Sequence, residues 1–212
     1  MLTPLQLRVC RIVADLPEAD MVALAGGGAL ILHGIVDRAT TDLDYFSPVV
    51  VDVRIFAEAA QRALLGEGLR VDTARSSADF VRLEVTDGDD EMSIDVGISS
   101  RAFTPVTTPH GRVLAAEDLA GDKLLALFGR AEPRDFLDVR ALTARFDLNE
   151  LYELAADKDP GFSLEHLRDA VGVFDRHPRQ TFPIPDSQYE QLRDWVRQWH
   201  HELPPSTSTP PR

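Results

Sequence analysis

Apolar positions recur with helical spacing at Leu5, Val9, Ile12 and Val13, and predict a first helix over residues 5–15. Met21 to Ala25 is short and apolar and reads as a strand or a tight lead-in. Gly26-Gly27-Gly28 follows, and Ala29-Leu30-Ile31-Leu32 then predicts a buried helix ending near Gly34. Asp42 to Phe46 is rich in β-formers and predicts a strand. Val53, Phe56, Ala57, Ala60 and Leu64 outline an amphipathic helix over 52–65, closed by Gly66 and Gly68. Three β-like segments come next, at 69–74, 80–86 and 92–97, with Asp87-Gly88-Asp89-Asp90 as a hairpin-like loop between the last two. From Ala116 to about His201 the pattern is helical, interrupted near Pro133, Pro160 and Pro178–Pro185. The end, rich in Pro, Ser and Thr, has the composition of a disordered tail over 204–212. The chain therefore reads as α+β: a small α/β lobe over 1–110 and a helical lobe over 111–203, with the boundary around 105–116.

Composition narrows the setting. A 212-residue chain that is 44% hydrophobic has enough apolar surface for a real core. Its single cysteine, Cys10, has no internal disulfide partner, which points to a reducing, cytoplasmic environment. Met1-Leu2-Thr3-Pro4 does not have the form of a secretory signal, and no apolar run approaches membrane-spanning length, so no membrane association is expected. A net charge of −13 argues against non-specific coating of nucleic acid but leaves room for a local basic patch. Arg130, Arg134, Arg140 and Arg145 cluster late in the chain. They suit a triphosphate or an RNA backbone, and equally a solvated helix face with local acidic partners.

Candidate chemistry concentrates in Thr40-Thr41-Asp42-Leu43-Asp44-Tyr45-Phe46. Side chains alternate along a strand, so Asp42 and Asp44 project from one face with Cα atoms roughly 6–7 Å apart. Two such carboxylates are hard oxygen ligands for one or two Mg²⁺ ions. The glycine run just upstream, entering a helix, offers backbone N–H groups to a phosphate. In Met92-Ser93-Ile94-Asp95-Val96-Gly97 the alternation sets Asp95 off the apolar face, where it could join Asp42 and Asp44 across a neighbouring strand. Three converging carboxylates repel one another unless a cation joins them. Lys123 shares a helix face with Leu119, Ala126 and Leu127, and so either snorkels or enters a cleft. Asp138, flanked by Leu137, Val139 and Leu142, reads as a partly buried carboxylate needing a cation, with Lys123 or an arginine to serve. The histidines show no zinc spacing, Ser93 has no base near it in sequence, and the glycines lack the Gly-Lys-Ser/Thr of a P-loop.

Taken together, Gly26-Gly27-Gly28-Ala29-Leu30, Arg38 to Phe46, Asp122-Lys123-Leu124-Leu125-Ala126-Leu127 and Arg134-Asp135-Phe136-Leu137-Asp138 resemble the AbiEii-type (MenT-like) nucleotidyltransferase toxins. These belong to the DNA polymerase β-like nucleotidyltransferase superfamily. The resemblance implies a polymerase β-like lobe with a small mixed sheet, and a helical lobe that completes the active site. It implies Asp42 and Asp44 as metal ligands with Asp95 as the third carboxylate. Gly27 and Gly28 would cradle a triphosphate, Lys123 would face phosphate, and Asp138 would be the late aspartate. From the arginine cluster, Arg130 and Arg134 are the nucleotide-binding candidates. Position 28 is glycine where the superfamily usually has serine. The implied reaction is Mg²⁺-dependent transfer of a nucleoside monophosphate from an NTP to a tRNA 3′ end, in a toxin paired with an antitoxin. Rival expectations are a small-molecule transferase of the aminoglycoside type and a catalytically silent binding protein with the same fold.

Overall fold

The structure is a computed structural model that describes residues 1–48 and 52–205. The sequence expectation of a disordered tail falls largely on 206–212, outside the described residues. The chain forms two compact units, Met1–Leu119 and Ala120–Arg212.

The first unit is built on a mixed sheet. Helix α1 (Pro4–Ala14) starts at a Thr3 capping box: the Thr3 hydroxyl accepts from Gln6 N–H, and the Gln6 side chain accepts from Thr3 N–H. After a 3₁₀ turn (Pro17–Met21) come β1 (Ala23–Ala25) and α2 (Gly26–Leu32), then β2 (Asp42–Ser47) and α3 (Arg54–Gly66). Strands β3 (Arg70–Ser76), β4 (Phe80–Asp87) and β5 (Asp90–Ile98) form an antiparallel meander. The β4–β5 turn is Gly88-Asp89, with Gly88 at φ +63°, a left-handed conformation that glycine adopts without steric cost. Two short strands, β6 (Val106–Thr108) and β7 (Gly111–Val113), complete a sheet of order β3-β4-β5-β2-β1-β7-β6 among the described residues. The sequence pattern did not predict the β6–β7 hairpin. Three-residue strands carrying Thr107, Thr108 and Arg112 offer too few alternations to stand out from a linker.

Pairing fixes which side chains meet. Strand β2 runs antiparallel to β1 and parallel to β5. Leu43, Tyr45, Val81, Leu83, Val85, Ile94 and Val96 are all buried and belong to the apolar face. Tyr45 stacks at a tilt on Phe56 of α3 and donates its hydroxyl proton to the sulfur of Cys10 on α1, which places both helices on this face. The opposite face receives Asp42, Asp44, Arg82, Glu84, Ser93 and Asp95.

The second unit is all helical, apart from the start of its first helix in the preceding unit. It comprises α4 (Ala116–Arg130), α5 (Pro133–Leu142), α6 (Leu148–Lys158), α7 (Leu164–Val171) and α8 (Asp186–Glu202). Its core holds Leu124, Leu127, Phe136, Val139, Leu151, Phe174, Phe182, Val196 and Trp199. Phe174 meets Phe136 edge-on and stacks on Tyr189, geometries that add to the area the rings bury. The α4–α5 corner turns at Ala131, a non-glycine residue at φ +48° whose carbonyl accepts from His177 Nε2. No described helix is long and apolar enough to cross a membrane.

Candidate active site

The strand β2 carboxylates occupy the positions the alternation requires, and each is held by a local device. Thr40, just before the strand, donates its hydroxyl proton to Asp42 Oδ1 at 2.7 Å, orienting that carboxylate. Asp44 pairs with Ala25 on β1, so its side chain lies over the turn where β1 becomes α2. There Gly26 takes φ +59°, and a Cβ at this position would stand 2.7 Å from Asp44 Cγ and closer still to its Oδ2. Only glycine satisfies both the left-handed backbone and the missing volume.

The three glycines divide the work. Gly27 faces Thr40 and Arg38: an added Cβ would lie 3.0 Å from Thr40 Oγ1 and 3.2 Å from Arg38 Nη2. Gly28 faces inward, where a Cβ would meet Leu43 Cδ2 at 3.0 Å and Leu24 at 3.6 Å. A side chain at position 28 would therefore press on Leu43 unless that leucine shifted. All three sit in the first turn of α2, whose N–H groups have no partner within the helix.

Asp95 lies in register with Asp44 on the parallel neighbour, as the sequence expectation required. Its two oxygens, however, go to an arginine. Arg82, directly opposite on β4, donates from Nε to Oδ1 at 2.6 Å and from Nη2 to Oδ2 at 2.5 Å. This bidentate pair lifts the Arg82 guanidinium above its ordinary range, through the hydrogen bonds to Asp95 first, with burial opposing and the charges of Asp95, Glu84 and Asp42 adding. Among the described residues no three His, Cys, Asp or Glu side chains gather as a ready-made metal cage. The donors do fit a hard cation: oriented carboxylate oxygens from Asp42 and Asp44 on one face of a strand are the set that Mg²⁺ prefers.

In the second unit Lys123 and Asp138 form the pair that the burial pattern anticipated. Lys123 Nζ stands 2.9 Å from Asp138 Oδ2; the side chains are 10% and 0% exposed. The bond joins α4 to α5. Arg130 and Arg134 sit in local ion pairs. Arg130 forks onto the buried Asp135, donating to Oδ2 at 2.9 Å and to Oδ1 at 2.8 Å, and Arg134 meets Glu132 at 3.0 Å. Asp135 also accepts from Glu132 N–H at the start of α5. These contacts match the second of the two sequence readings of the arginine cluster, local acidic partners on helix ends.

Arg82 and Arg38 are the site residues that sequence reasoning passed over. A signal for Arg82 was present: counting back from a two-residue turn at Gly88-Asp89 pairs it with Asp95. Arg38 entered only as the first residue of the Arg38 to Phe46 stretch, without a role of its own.

Comparison with known proteins agrees with this architecture. The sequence matches the family described as "Nucleotidyl transferase AbiEii toxin, Type IV TA system" over residues 9–212. The fold is similar to that of JHP933 from Helicobacter pylori (TM-score 0.56, 18% identity, covering 95% of this chain and 94% of that one). It is also similar to MenT4, a nucleotidyltransferase toxin from Mycobacterium tuberculosis H37Rv (TM-score 0.53, 16% identity, covering 94% and 84%). At these identities the structural likeness speaks for the polymerase β-like fold alone. No curated protein matches the sequence at a significant level.

Proposed function

Because the chain belongs to the AbiEii family of nucleotidyl transferase toxins, we propose that it moves a nucleoside monophosphate from an NTP to the 3′ end of a tRNA. Pyrophosphate leaves, and blocked translation arrests growth until an antitoxin counteracts it. The observation that carries the chemical part of this reading is the Asp42–Asp44 pair on one face of β2, with Asp44 folded over the Gly26 turn. In this reading Asp42 and Asp44 hold Mg²⁺, which when bound neutralises the charge of the triphosphate and the leaving pyrophosphate. Transfer of this kind relies on positioning and charge neutralisation more than on covalent catalysis.

The chain's own groups then have separable roles. The Thr40 hydroxyl fixes the rotamer of Asp42. Gly26 leaves room for the Asp44 carboxylate, and the N–H groups of Gly27 and Gly28 are donors to phosphate oxygens. Lys123 takes the phosphate-facing role that the family resemblance gives it, with Asp138 fixing its ammonium. Arg130 and Arg134 pair with Asp135 and Glu132 at the start of α5, with their own side chains nearly half exposed.

One observation favours a second acceptor. The net charge of −13 suits a cationic aminoglycoside better than RNA. Incubating the purified protein with Mg²⁺, each α-labelled NTP, and either total tRNA or an aminoglycoside panel separates the two. Label on tRNA is the expected result. Label on the drug alone reassigns the acceptor, and no transfer to either acceptor counts against the proposal.

A further inference from the structure

We propose that Phe46 and Phe80, with Gly97 between them, seat the 3′-terminal base of a single-stranded RNA acceptor, and that Arg75 and Arg82 face its phosphate. This rests on the nucleotidyl-transfer reading above and deepens it, by giving the acceptor a place on the sheet and a chemical class.

Alternation carries the polar face of the sheet beyond the carboxylates. Phe46 follows Asp44 by two residues on β2, Gly97 follows Asp95 by two on β5, and Phe80 precedes Arg82 by two on β4, so all three share that face. Register sets them in one row, Phe80–Gly97–Phe46, beside the row Arg75–Arg82–Asp95–Asp44. Both rings lean over the glycine: a Cβ at position 97 would stand 3.2 Å from Phe46 Cε1 and 3.7 Å from Phe80 Cδ2. The two rings are only half-buried. The Arg75 guanidinium lies over the Phe80 ring, 5.1 Å from its centroid, on an exposed side chain. It covers the ring face that a base would take, and can swing from there to the adjoining phosphate. Partly open rings beside guanidinia are the combination that holds single strands, because every base has a π-face to stack and every link carries a negative charge.

The position fits the acceptor rather than the NTP. The glycines that take the triphosphate lie at the β1–α2 turn on one side of β2, whereas Gly97 and Phe80 lie on β5 and β4 on its other side. Transfer sets the attacking oxygen roughly in line with the leaving pyrophosphate. The acceptor therefore enters from the side away from the glycines. Charge along the face is divided in the same sense. Asp72, Glu84 and Asp42 stand in the row on the far side of Asp44 from the rings. Arg75 and Arg82 stand next to the rings, and Arg82 is 43% exposed while forked onto Asp95. Asp79, in the turn before β4, lies within the field of Arg75. An anionic strand meets guanidinia beside the rings, where a polycationic aminoglycoside would be repelled.

Fluorescence anisotropy of a short 5′-labelled single-stranded RNA, with Mg²⁺ and without NTP, tests the seat apart from turnover. Phe80→Leu still covers Gly97, so its melting temperature is expected to match wild type while RNA binding weakens about fivefold or more, the scale of one lost base–aromatic stack. Phe80→Tyr keeps the ring and is expected to keep the affinity. The same RNA with an abasic 3′-terminal ribose separates stacking from packing. Wild type is expected to bind it as weakly as Phe80→Leu binds the intact strand, and the variant to bind both alike. Arg75→Gln is expected to lower the slope of log affinity against log salt by about 0.7, the share of one single-strand phosphate. If wild type binds intact and abasic RNA equally, the rings only shield Gly97 and the inference is overturned, while the transfer reading stands as long as tRNA is labelled and Asp44→Asn abolishes it. If wild type neither binds the RNA nor labels tRNA, both fall. Wild type alone gives a further answer: RNA carrying 5-iodouridine at its 3′ end, irradiated on the protein, is expected to crosslink to Phe46 or Phe80. Adducts confined to other residues would contradict the proposal.

Discussion

At Gly26 two constraints fall on one atom that is not there. The left-handed φ of +59° disfavours any Cβ, and the volume a Cβ needs is filled by the Asp44 carboxylate. Gly26→Ala is expected to cost about 1–2 kcal/mol in backbone strain alone, and to displace Asp44 as well. Chemical denaturation would show the first effect and reduced Mn²⁺ affinity the second; an alanine variant of unchanged stability would refute the strain argument. A different kind of sensitivity lies at His200 in α8, where burial first and then the charge of Arg168 hold the imidazole below its usual range. The unfolded chain, with a histidine near the ordinary value of about 6.5, takes up the proton first as pH falls. The stability gained by keeping His200 neutral is present above that value and is lost as pH drops through the folded value. His200→Gln should flatten the decline of melting temperature just below pH 6.5; an unchanged slope would remove His200 as its source.

Among the elements, the α4–α5 corner concentrates the cost of its geometry. Lys123 and Asp138 tie the two helices from inside, and Arg130 and Glu132 converge on the buried Asp135 at the turn. Removing one partner leaves the other charge buried and alone, so Asp138→Ala is expected to cost about 3–5 kcal/mol. Equilibrium unfolding of this variant gives the check, and a change below a third of that range would mean that Lys123 finds water readily. Between these contacts Ala131 is pinned at φ +48°. Ala131→Gly relieves that strain against a gain in unfolded-state freedom, for a net stabilisation of about 0.5–1 kcal/mol. The sequence showed the helices here clearly, and even the need of Asp138 for a cation, because burial can be read from flanking Leu137, Val139 and Leu142. It did not show the positive φ, since no glycine marks the spot. The β6–β7 hairpin was hidden for a related reason: its strands are stabilised by joining the sheet edge, a tertiary contribution that local pattern does not carry.

Across the whole chain, the sheet turns separate stretches of sequence into one charged surface. Alternation alone predicted that Asp42 and Asp44 share a face and that Asp95 leaves the apolar one. Only pairing showed that Asp95 stands between Asp44 and Arg82 and is held by the arginine. The carboxylates were thus legible as residues, whereas their partners depended on register, which one sequence constrains only where a tight turn sets the count. The measurement that bears most directly on the account is transfer of α-labelled nucleotide to tRNA with Mg²⁺, by wild type and by Asp42→Asn and Asp44→Asn variants of confirmed fold. Wild type is expected to label tRNA and to stop once the metal is chelated, and labelling is expected to fall about a hundredfold or more in either variant. Undiminished labelling by the Asp44→Asn protein would contradict it.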